Sequence, residues 1–296
     1  MIQTTTLVVF NPLPQRARGK RLQALCRALE AAQRPYTLIA TDADLHKTAK
    51  IIQQQLSGVG NLVVVGGDGT LHQVVNALAE VQLPPTLALV PAGTGNDFAR
   101  SWFGPNQAVE TIICRAVNGK AEAIDVGCVN GRYFINSVGV GFDGDLTQHL
   151  AGQKSYWPKL TYMLNALRQL FRYRGKPLVF CHVPEGSPLS KRQPSLLFVA
   201  ANTPFFGAGM QIAPHAQHNS GSLAWVHIKE CNLTTKLLSF ASIYKGMHLQ
   251  KSVVTHGQLR RVHIQTAGVA MQADGEFIGC TPADIKSHSG LLTMRR

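Results

Sequence analysis

The first hundred residues alternate short apolar runs with stretches of helical periodicity, and this alternation restricts the fold more than any other feature of the chain. The predicted strands are residues 5–10, 36–40, 62–65 and 86–90. The helical patterns between them cover residues 19–32, 44–56 and 72–79. Repeated β-α units in this order predict a parallel, doubly wound sheet. Ligands of such sheets bind at the carboxyl ends of the strands.

The third strand ends in a glycine-rich turn, Gly66-Gly67-Asp68-Gly69-Thr70. Its glycines leave backbone N–H groups unshielded, and the helix that follows adds unsatisfied donors and a dipole, so the turn is suited to cradle a phosphate. Asp68 would repel a bare phosphate, which indicates a bound cation or a proton-linked water network beside it. The alternative is a tight strand-to-helix connection that needs glycine only for positive φ angles.

A second glycine turn, residues 91–98, follows the fourth strand. Its glycines permit close backbone approach, Thr94 offers a hydroxyl and a helix cap, and Asn96 with Asp97 adds polar groups where a helix begins. A helix cap alone explains this pattern. However, successive strand ends of a parallel sheet converge on one crevice, so the spacing of the two turns predicts a shared site.

The pattern changes near residue 120, where strand signals replace the β-α units. Asn130-Gly131, between apolar runs at residues 121–129 and 132–138, predicts an antiparallel hairpin. Further strand signals occur at residues 178–183, 196–201, 223–228, 259–265 and 269–273. Helical patterns occur at residues 158–174 and 233–247. The second half of the chain therefore reads as a largely antiparallel domain.

A chain of 296 residues exceeds the usual size of a single domain. We predict an α/β domain over residues 1–120 and a β-rich domain over residues 121–290. Residues 291–296 form a tail that could return to the first domain.

Two carboxylates share the tight turn Asp274-Gly275-Glu276, which lies between two strand-like stretches. A plain Asp-Gly hairpin turn explains this sequence without any chemistry. Alternatively, a carboxylate within hydrogen-bond reach of a substrate hydroxyl acts as a general base during group transfer. The residues alone leave both interpretations open.

The pattern G-x-G-x-x-G occurs at residues 139–144. It follows a hairpin rather than the first strand of a β-α-β unit, and no acidic residue stands about 20 residues further on, so it does not indicate a dinucleotide site. We interpret it as a bend at the domain junction, with Asp143 near the cleft.

A formal net charge of +13 and a pI near 9.7 predict attraction to an anionic partner. Nucleic acid is not expected, because basic and aromatic residues are not interleaved and no reader motif occurs. The six cysteines lack disulfide or zinc spacing, which indicates reduced thiols in the cytoplasm. We expect neither a signal peptide nor a transmembrane helix, so any membrane contact is peripheral.

The helical pattern at residues 158–174 has an apolar face flanked by basic side chains. The apolar residues are Leu160, Met163, Leu164, Leu167, Leu170 and Phe171, and the basic ones are Lys159, Arg168, Arg172 and Arg174. Such a helix can lie on an anionic membrane, or it can pack its apolar stripe against a sheet. Both hold if only one end of the helix touches lipid.

The two glycine turns, residues 136–143 and the turn at residues 274–276 together resemble the diacylglycerol kinase catalytic-domain family, particularly its bacterial lipid kinases. The similarity spans nearly the whole chain. The first turn alone is shared with NAD kinases, which lack the second turn in this form. The resemblance implies an ATP- and Mg²⁺-dependent kinase of a lipid hydroxyl, with the nucleotide in a cleft between an α/β domain and a β-sandwich-like domain.

The resemblance also implies roles for individual residues. The implied nucleotide contacts are Asn11, Thr41, Gly66, Gly67, Asp68, Gly69, Thr70, Leu71, His72, Gln73, Gly93, Thr94 and Asn96. Asp68 and Asp97 would hold Mg²⁺ and water. The turn at residues 274–276 would supply the base; we place Glu276 first and Asp274 second, since the sequence does not separate them.

Two departures from the family pattern matter. The family opens with N-P-x-S/A-G, whereas this chain has Asn11-Pro12-Leu13-Pro14-Gln15, so the phosphate contacts there can differ. The family also binds a second Mg²⁺ at D-G-x-L, where this chain has Ser220-Gly221-Ser222-Leu223. Ser220 supplies no charge, so a tight metal site formed by Gln217, Ser220 and Ser222 is not expected.

These observations lead to a working hypothesis of a cytoplasmic lipid kinase, peripherally associated with the inner face of the membrane. It would transfer the γ-phosphate of ATP to a lipid such as diacylglycerol at an anionic membrane surface, and it could form a homodimer. One alternative is an NAD kinase-like enzyme with a soluble acceptor. Another is a catalytically silent protein that binds nucleotide or lipid.

Overall fold

The computed structural model describes residues 4–13, 16–150, 158–182 and 193–296. The chain forms two compact units. The first unit contains residues 1–124 and 290–296, and the second unit contains residues 125–289.

The first unit is built from β-α repeats around a parallel sheet. Its elements are β1 (Thr5–Phe10), α1 (Arg16–Ala31), β2 (Tyr36–Ala40), α2 (Leu45–Gln54), β3 (Val59–Gly66), α3 (Asp68–Leu78), β4 (Thr86–Pro91), α4 (Asp97–Phe103) and α5 (Val109–Asn118). The strands lie in the order β2-β1-β3-β4, and every neighbouring pair is parallel. The predicted parallel sheet is therefore confirmed.

Aliphatic side chains from β1, β3 and β4 pack against α1 and α5 to form one core of the first unit. The fully buried members include Val8, Leu25, Leu29, Val63, Val65, Ala88 and Val90. Near the C-terminus, Met294 pairs with Leu87 of β4 in parallel register. The backbone oxygen of Arg295 accepts a hydrogen bond of 2.9 Å from Trp102 Nε1, and its guanidinium donates to Asn61 at 2.7 Å.

Helix α3 begins at Asp68 rather than at residue 72, where the helical pattern was predicted to start. Strand β3 ends at Gly66, so Gly67 alone connects the two elements. The N–H of Leu71 already donates to the oxygen of Gly67 at 3.0 Å. The apolar periodicity begins only at Leu71, and it therefore missed the first helical turn.

The second unit is mainly antiparallel. Its elements are β5 (Ala121–Val129), β6 (Arg132–Phe134), β7 (Ser137–Gly141), α6 (Phe142–Leu150), α7 (Pro158–Arg172), β8 (Lys176–Leu178), β9 (Phe180–His182), β10 (Gln193–Ala201), β11 (Leu223–Lys229), α8 (Leu233–Ile243), a 3₁₀ helix (Met247–Gln250), β12 (Val254–Leu259), β13 (Arg261–Ile264), β14 (Ala270–Ala273), β15 (Glu276–Cys280) and β16 (Ala283–Arg295). Strand β5 starts in the first unit, and β16 ends there.

The strands of the second unit form two antiparallel ladders. One has the order β12-β11-β10-β7-β14-β15, with β8 beside β10. The other joins β9, β13 and the first half of β16, and β5 pairs with both β16 and β6. Side chains of both ladders share one hydrophobic cluster that includes Val140, Phe180, Phe198, Val262 and Ile285. The predicted antiparallel, β-rich second domain is therefore confirmed.

Three runs that were each predicted as one strand are split in the structure. Residues 132–138, 178–183 and 259–265 each contain parts of two strands. In all three the break marks a change of partner. β6 pairs with β5 but β7 pairs with β10 and β14. β8 pairs with β10 but β9 pairs with β13, and β12 pairs with β11 but β13 pairs with β9 and β16. Each break spans only one or two residues, so the sequence pattern does not reveal it.

Helix α7 packs one side onto the second unit through Ala166 and Leu170. Leu164, Leu167 and Phe171 were predicted on the same face, but 55%, 36% and 55% of their surfaces are exposed. The side chains of Leu160 and Met163, also predicted there, lie outside the described residues. Among the described residues, no helix has both the length and the hydropathy needed to cross a membrane.

Candidate functional site

The two glycine turns of the first unit lie side by side. Strands β3 and β4 pair as far as Gly66 and Pro91, and the N–H of Ala92 donates to the oxygen of Gly66 at 2.6 Å. A Cβ atom on Gly93 would lie 2.4 Å from the Cα atom of Gly67. Gly67 itself has a φ of −100°. Close backbone approach, rather than a positive φ angle, therefore requires glycine at both positions.

Asp68 joins the first turn to the helix that follows the second. Its Oδ2 atom accepts the N–H of Asp97 at 3.0 Å, and its Oδ1 atom accepts the N–H of Phe98 at 3.0 Å. These donors belong to the first turn of α4, where backbone N–H groups have no intrahelical partner and the helix dipole favours a negative charge. Asp68 thus caps a helix other than its own, a role that its position in the sequence does not reveal.

Asn96 closes the second turn. It adopts the left-handed conformation, with φ 53° and ψ 45°, which asparagine tolerates better than most residues. Its side-chain Oδ1 accepts the N–H of Gly93 at 2.9 Å, and its Nδ2 donates to the oxygen of Gly93 at 2.9 Å. Thr94 is exposed at the tip of this turn. The predicted nucleotide contacts Gly93, Thr94 and Asn96 are therefore part of one rigid turn.

The remaining predicted contacts fall into two groups, of which the first lies at the carboxyl ends of β1 and β2. The N–H of Thr41 donates to the oxygen of Phe10 at 2.9 Å. Asn11 accepts a hydrogen bond of 3.2 Å from Arg18, which also donates to the oxygen of Leu13 at 2.8 Å. Arg18 thus holds the turn after β1, and partial burial lowers the pKa of its guanidinium.

The second group lies in the first turns of α3. The side chains of Thr70, Leu71 and His72 are 5%, 0% and 1% exposed. Gly69 is exposed, and the side chain of Gln73 donates to the oxygen of Asp42 at 3.1 Å. The burial of Leu71 and His72 limits them to backbone contacts with any ligand at this turn.

A residue that was not predicted for the site also contacts the second turn. Arg21 of α1 donates a hydrogen bond from its guanidinium to the oxygen of Pro91. It follows the basic turn after β1 in sequence, but nothing in the local pattern links it to residue 91. Only the packing of α1 brings it there.

In the second unit, the two carboxylates of the turn at residues 274–276 have different environments. The Asp274 carboxylate accepts three backbone hydrogen bonds, from Ile135 at 2.9 Å, Asn136 at 2.8 Å and Ser137 at 3.1 Å. Asp274 thereby anchors its turn to the connection between β6 and β7. Glu276, at the start of β15, is exposed.

A second contact fixes the same turn from another side. The Gln272 side chain accepts the N–H of Gly275 at 2.8 Å and donates to Asp143 Oδ2 at 3.0 Å. Asp143 also accepts the N–H of Gly144 at 2.9 Å and is only 3% exposed. Burial raises the pKa of Asp143 to about 7. Gln272 therefore connects a buried carboxyl group to the turn that carries Glu276.

The burial of Asp143 in the first turn of a helix corrects the interpretation of residues 139–144 as a bend with Asp143 near a cleft. Helix α6 begins at Phe142, directly after β7 ends at Gly141. A Cβ atom on Gly139 would overlap the carboxylate of Asp143, at 1.5 Å from its Oδ2 atom. Glycine at position 139 therefore makes room for a buried carboxyl group rather than for a phosphate.

Gln217, Ser220 and Ser222, at which a tight metal site was not expected, lie in one loop before β11. The Ser220 hydroxyl lies 3.1 Å from the oxygen of Gln217 and 3.0 Å from that of Ser222. Within the described part of the chain, no three His, Cys, Asp or Glu side chains cluster in a way suited to a metal ion.

Two family models match the chain. The diacylglycerol kinase catalytic domain matches residues 5–129, and the YegS C-terminal NAD kinase beta sandwich-like domain matches residues 136–295. A Bacillus subtilis protein named diacylglycerol kinase is 28% identical over 289 residues, covering 94% of this chain and 91% of that protein. A Mycobacterium tuberculosis protein of the same name is 30% identical over 262 residues, and the match covers 86% of this chain and 82% of that protein.

The fold is also similar to that of a solved structure. The crystal structure of a diacylglycerol kinase from Bacillus anthracis matches with a TM-score of 0.74. The two chains are 22% identical, and the match covers 98% of this chain and 96% of that one. At this identity the similarity concerns the fold.

The capping role of Asp68 predicts a loss of stability when its carboxylate is removed. Asp68→Ala should lower the free energy of unfolding by about 1–2 kcal/mol, because two N–H groups of α4 lose a charged acceptor. Asp44→Ala is the matched control, since Asp44 caps α2 through the N–H groups of His46 and Lys47, and it should cost a similar amount. Denaturant unfolding measures both; an Asp68→Ala variant as stable as the unsubstituted chain contradicts the capping role.

The buried carboxyl of Asp143 predicts a pH-dependent stability difference. Folding raises the pKa of Asp143 from 3.8 to about 7, so the folded state holds this proton more tightly than the unfolded state does. Ionisation of this carboxyl group therefore lowers the free energy of unfolding as the pH rises from about 4 to about 7. The side chain of Asp143→Asn does not titrate in this range. Between pH 4 and pH 8, the free energy of unfolding of this variant should therefore rise by up to about 4 kcal/mol relative to that of the unsubstituted chain.

Denaturant unfolding across this pH range measures the gain. Asp145→Asn is the control, because it removes the same charge from a partly exposed side chain that pairs with Lys176. A stability difference between Asp143→Asn and the unsubstituted chain that stays constant with pH contradicts the burial of a titrating group.

Proposed function

The chain belongs to the diacylglycerol kinase-like family defined by these two domains, and from this premise we propose that it is an ATP-dependent lipid kinase. It would transfer the γ-phosphate of ATP to a hydroxyl of a lipid such as diacylglycerol. The observation that carries this proposal is the contact between the two glycine turns in the first unit, with Asp68 hydrogen-bonded across them. Family membership supports a kinase; the nucleotide, the lipid and the residue roles are our proposal.

Backbone donors of the first unit would bind the phosphates. Gly67 is the N-cap of α3 and offers no side chain that could occupy the start of the helix. The N–H groups of Asp68, Gly69 and Thr70 have no intrahelical carbonyl partner, and the helix dipole places partial positive charge among them. An anionic phosphate at this helix end is therefore favoured.

The acidic groups of the same unit suit Mg²⁺ bound together with a nucleotide. The Asp68 carboxylate accepts the main-chain N–H of Asp97, and the buried Asp97 carboxylate lies 3.5 Å from the guanidinium of Arg100. Mg²⁺ is commonly held by one or two carboxylates, phosphate oxygens and water, and when bound it neutralises charge on the transferred phosphoryl group.

Glu276 is the residue that we propose as general base. Three backbone N–H groups donate to the Asp274 carboxylate, which gives that residue a positioning role. Glu276 is exposed and follows the same rigid turn, so its carboxylate is free to accept the proton of a lipid hydroxyl as phosphoryl transfer proceeds. Gln272 and Asp143 support the turn from inside the second unit.

This assignment predicts that Glu276→Gln lowers the rate of lipid phosphorylation by about 100-fold or more, because a positioned base is lost. The variant should unfold at the same denaturant concentration as the unsubstituted chain, since Glu276 is exposed. Glu122→Gln, at an exposed position in β5, is the matched control. Phosphorylation is measured with labelled ATP and lipid vesicles, and full activity of Glu276→Gln excludes this residue as the base.

Helix α7 gives the second unit a surface suited to a membrane. Leu164 and Phe171 are each 55% exposed, and Arg168 and Arg172 lie between and beside them on the same helix. A cavity of about 370 Å³ on this helix is lined by both arginines together with His149, Asn165 and Gln169. Apolar side chains flanked by arginines favour an anionic lipid surface. We propose that α7 brings the enzyme to its substrate there.

This surface predicts that replacing both Leu164 and Phe171 by Ser weakens binding to phosphatidylglycerol vesicles by about tenfold or more, because apolar contact with lipid is lost. Leu83→Ser is the control, since Leu83 is 92% exposed but belongs to the first unit. Vesicle co-sedimentation measures binding, and higher salt should weaken it. Equal binding of the Leu164/Phe171 variant and the control rejects α7 as the docking surface.

One alternative has a specific observation behind it. The model that matches residues 136–295 is described as an NAD kinase beta sandwich-like domain, so a soluble acceptor such as NAD is a second candidate. Incubation with labelled ATP and either diacylglycerol vesicles or NAD separates the two. ATP binding without turnover of either acceptor would instead indicate a catalytically silent binding protein.

A further inference from the structure

The loop before β11 is closed around a side-chain hydroxyl. Ser220 Oγ lies 3.1 Å from the oxygen of Gln217, 3.0 Å from the oxygen of Ser222 and 3.2 Å from the hydroxyl of Ser222. The N–H of Ser222 points back at Ser220 Oγ at 3.4 Å. Four polar atoms of one short loop thus surround one hydroxyl.

The geometry at this hydroxyl is that of hydrogen bonds. Its contacts are 3.0–3.4 Å long, which is the donor–acceptor range of hydrogen bonds. One of the surrounding groups is an N–H donor, which a hydroxyl accepts and a cation repels. The two carbonyl oxygens share the single proton of the hydroxyl, so no charge is needed to hold them near each other.

The carboxylate of Asp125 supports the loop through the main chain of the loop. Asp125 is 2% exposed, and its Oδ2 atom accepts the N–H of Gly221 at 2.6 Å. The N–H of Asp125 donates to the oxygen of His218 at 2.6 Å. Asp125 therefore fixes the loop by hydrogen bonds to its main chain.

We propose that Ser220 closes this loop in place of the Mg²⁺ that the family resemblance implies there, so that the second unit needs no cation at this position. The residues present do not fit a metal, because residue 220 brings no charge and its hydroxyl occupies the space between the two carbonyls. The same carbonyls are already held close together, so Ser220→Asp should create a site for a divalent cation. This role of Ser220 affects the stability of the protein and is independent of the proposed activity.

The test compares thermal unfolding of the full chain, without nucleotide, in EDTA and in excess Mg²⁺ or Ca²⁺. Ser220→Asp should unfold at a lower temperature in EDTA, because a carboxylate is added next to Gly221, which Asp125 binds. Excess cation should raise its Tm by roughly 5 °C or more. Asn219→Asp is the matched control, since it adds the same charge at the neighbouring exposed residue, and it should not show this rise.

The unsubstituted chain and Ser220→Ala should respond equally to cation, because any response they share arises at another site. Ser220→Ala should also unfold at a lower temperature than the unsubstituted chain in EDTA. A cation-dependent rise in Tm that occurs in the unsubstituted chain and is lost in Ser220→Ala overturns the proposal. A Ser220→Asp variant that responds to cation no more than Asn219→Asp overturns it as well, since the carbonyls would then not be placed for a metal.

Discussion

The first unit depends on how closely two stretches of backbone approach each other. A side chain at Gly67 or Gly93 would collide with the main chain of the other turn, so the turns after β3 and β4 could not approach each other this closely. This contact also places the carboxylate of Asp68 against the first N–H groups of α4. The close approach of the two turns and the capping of α4 therefore follow from one steric requirement.

Both units use a carboxylate to organise backbone N–H groups near a turn. Asp68 accepts two such groups at the start of a helix, and Asp274 accepts three at the connection between two strands. In the sequence, each of these acids could be interpreted either as a chemical group or as part of a plain turn. Their backbone partners are distant in the chain, 29 and 30 residues from Asp68 and 137 to 139 from Asp274.

The parallel sheet, the antiparallel second unit and the adjacency of the glycine turns could be predicted, since each follows from local periodicity and from the geometry of parallel strands. The start of α3 was missed because its first turn contains glycine and aspartate rather than apolar residues. The splitting of the run at residues 259–265 was missed because both of its strands bury apolar side chains while pairing with different neighbours. Periodicity reports burial, and it does not report which strand a residue pairs with.

Asp274 and Glu276 looked equivalent in the sequence and differ in the structure, because a local pattern does not report which distant residues contact each of them. A turn of the Asp-Gly type places two acids close together, but the groups that approach each acid come from residues 135–137, far away in the chain. Once Asp274 accepts those three N–H groups, its oxygens hold the turn, and Glu276 keeps an exposed carboxylate on a rigid support. Gln272 adds a link to the buried Asp143, so the support extends into the core of the second unit. A base placed on such a turn is oriented by its neighbours while remaining accessible to substrate, which general-base catalysis requires.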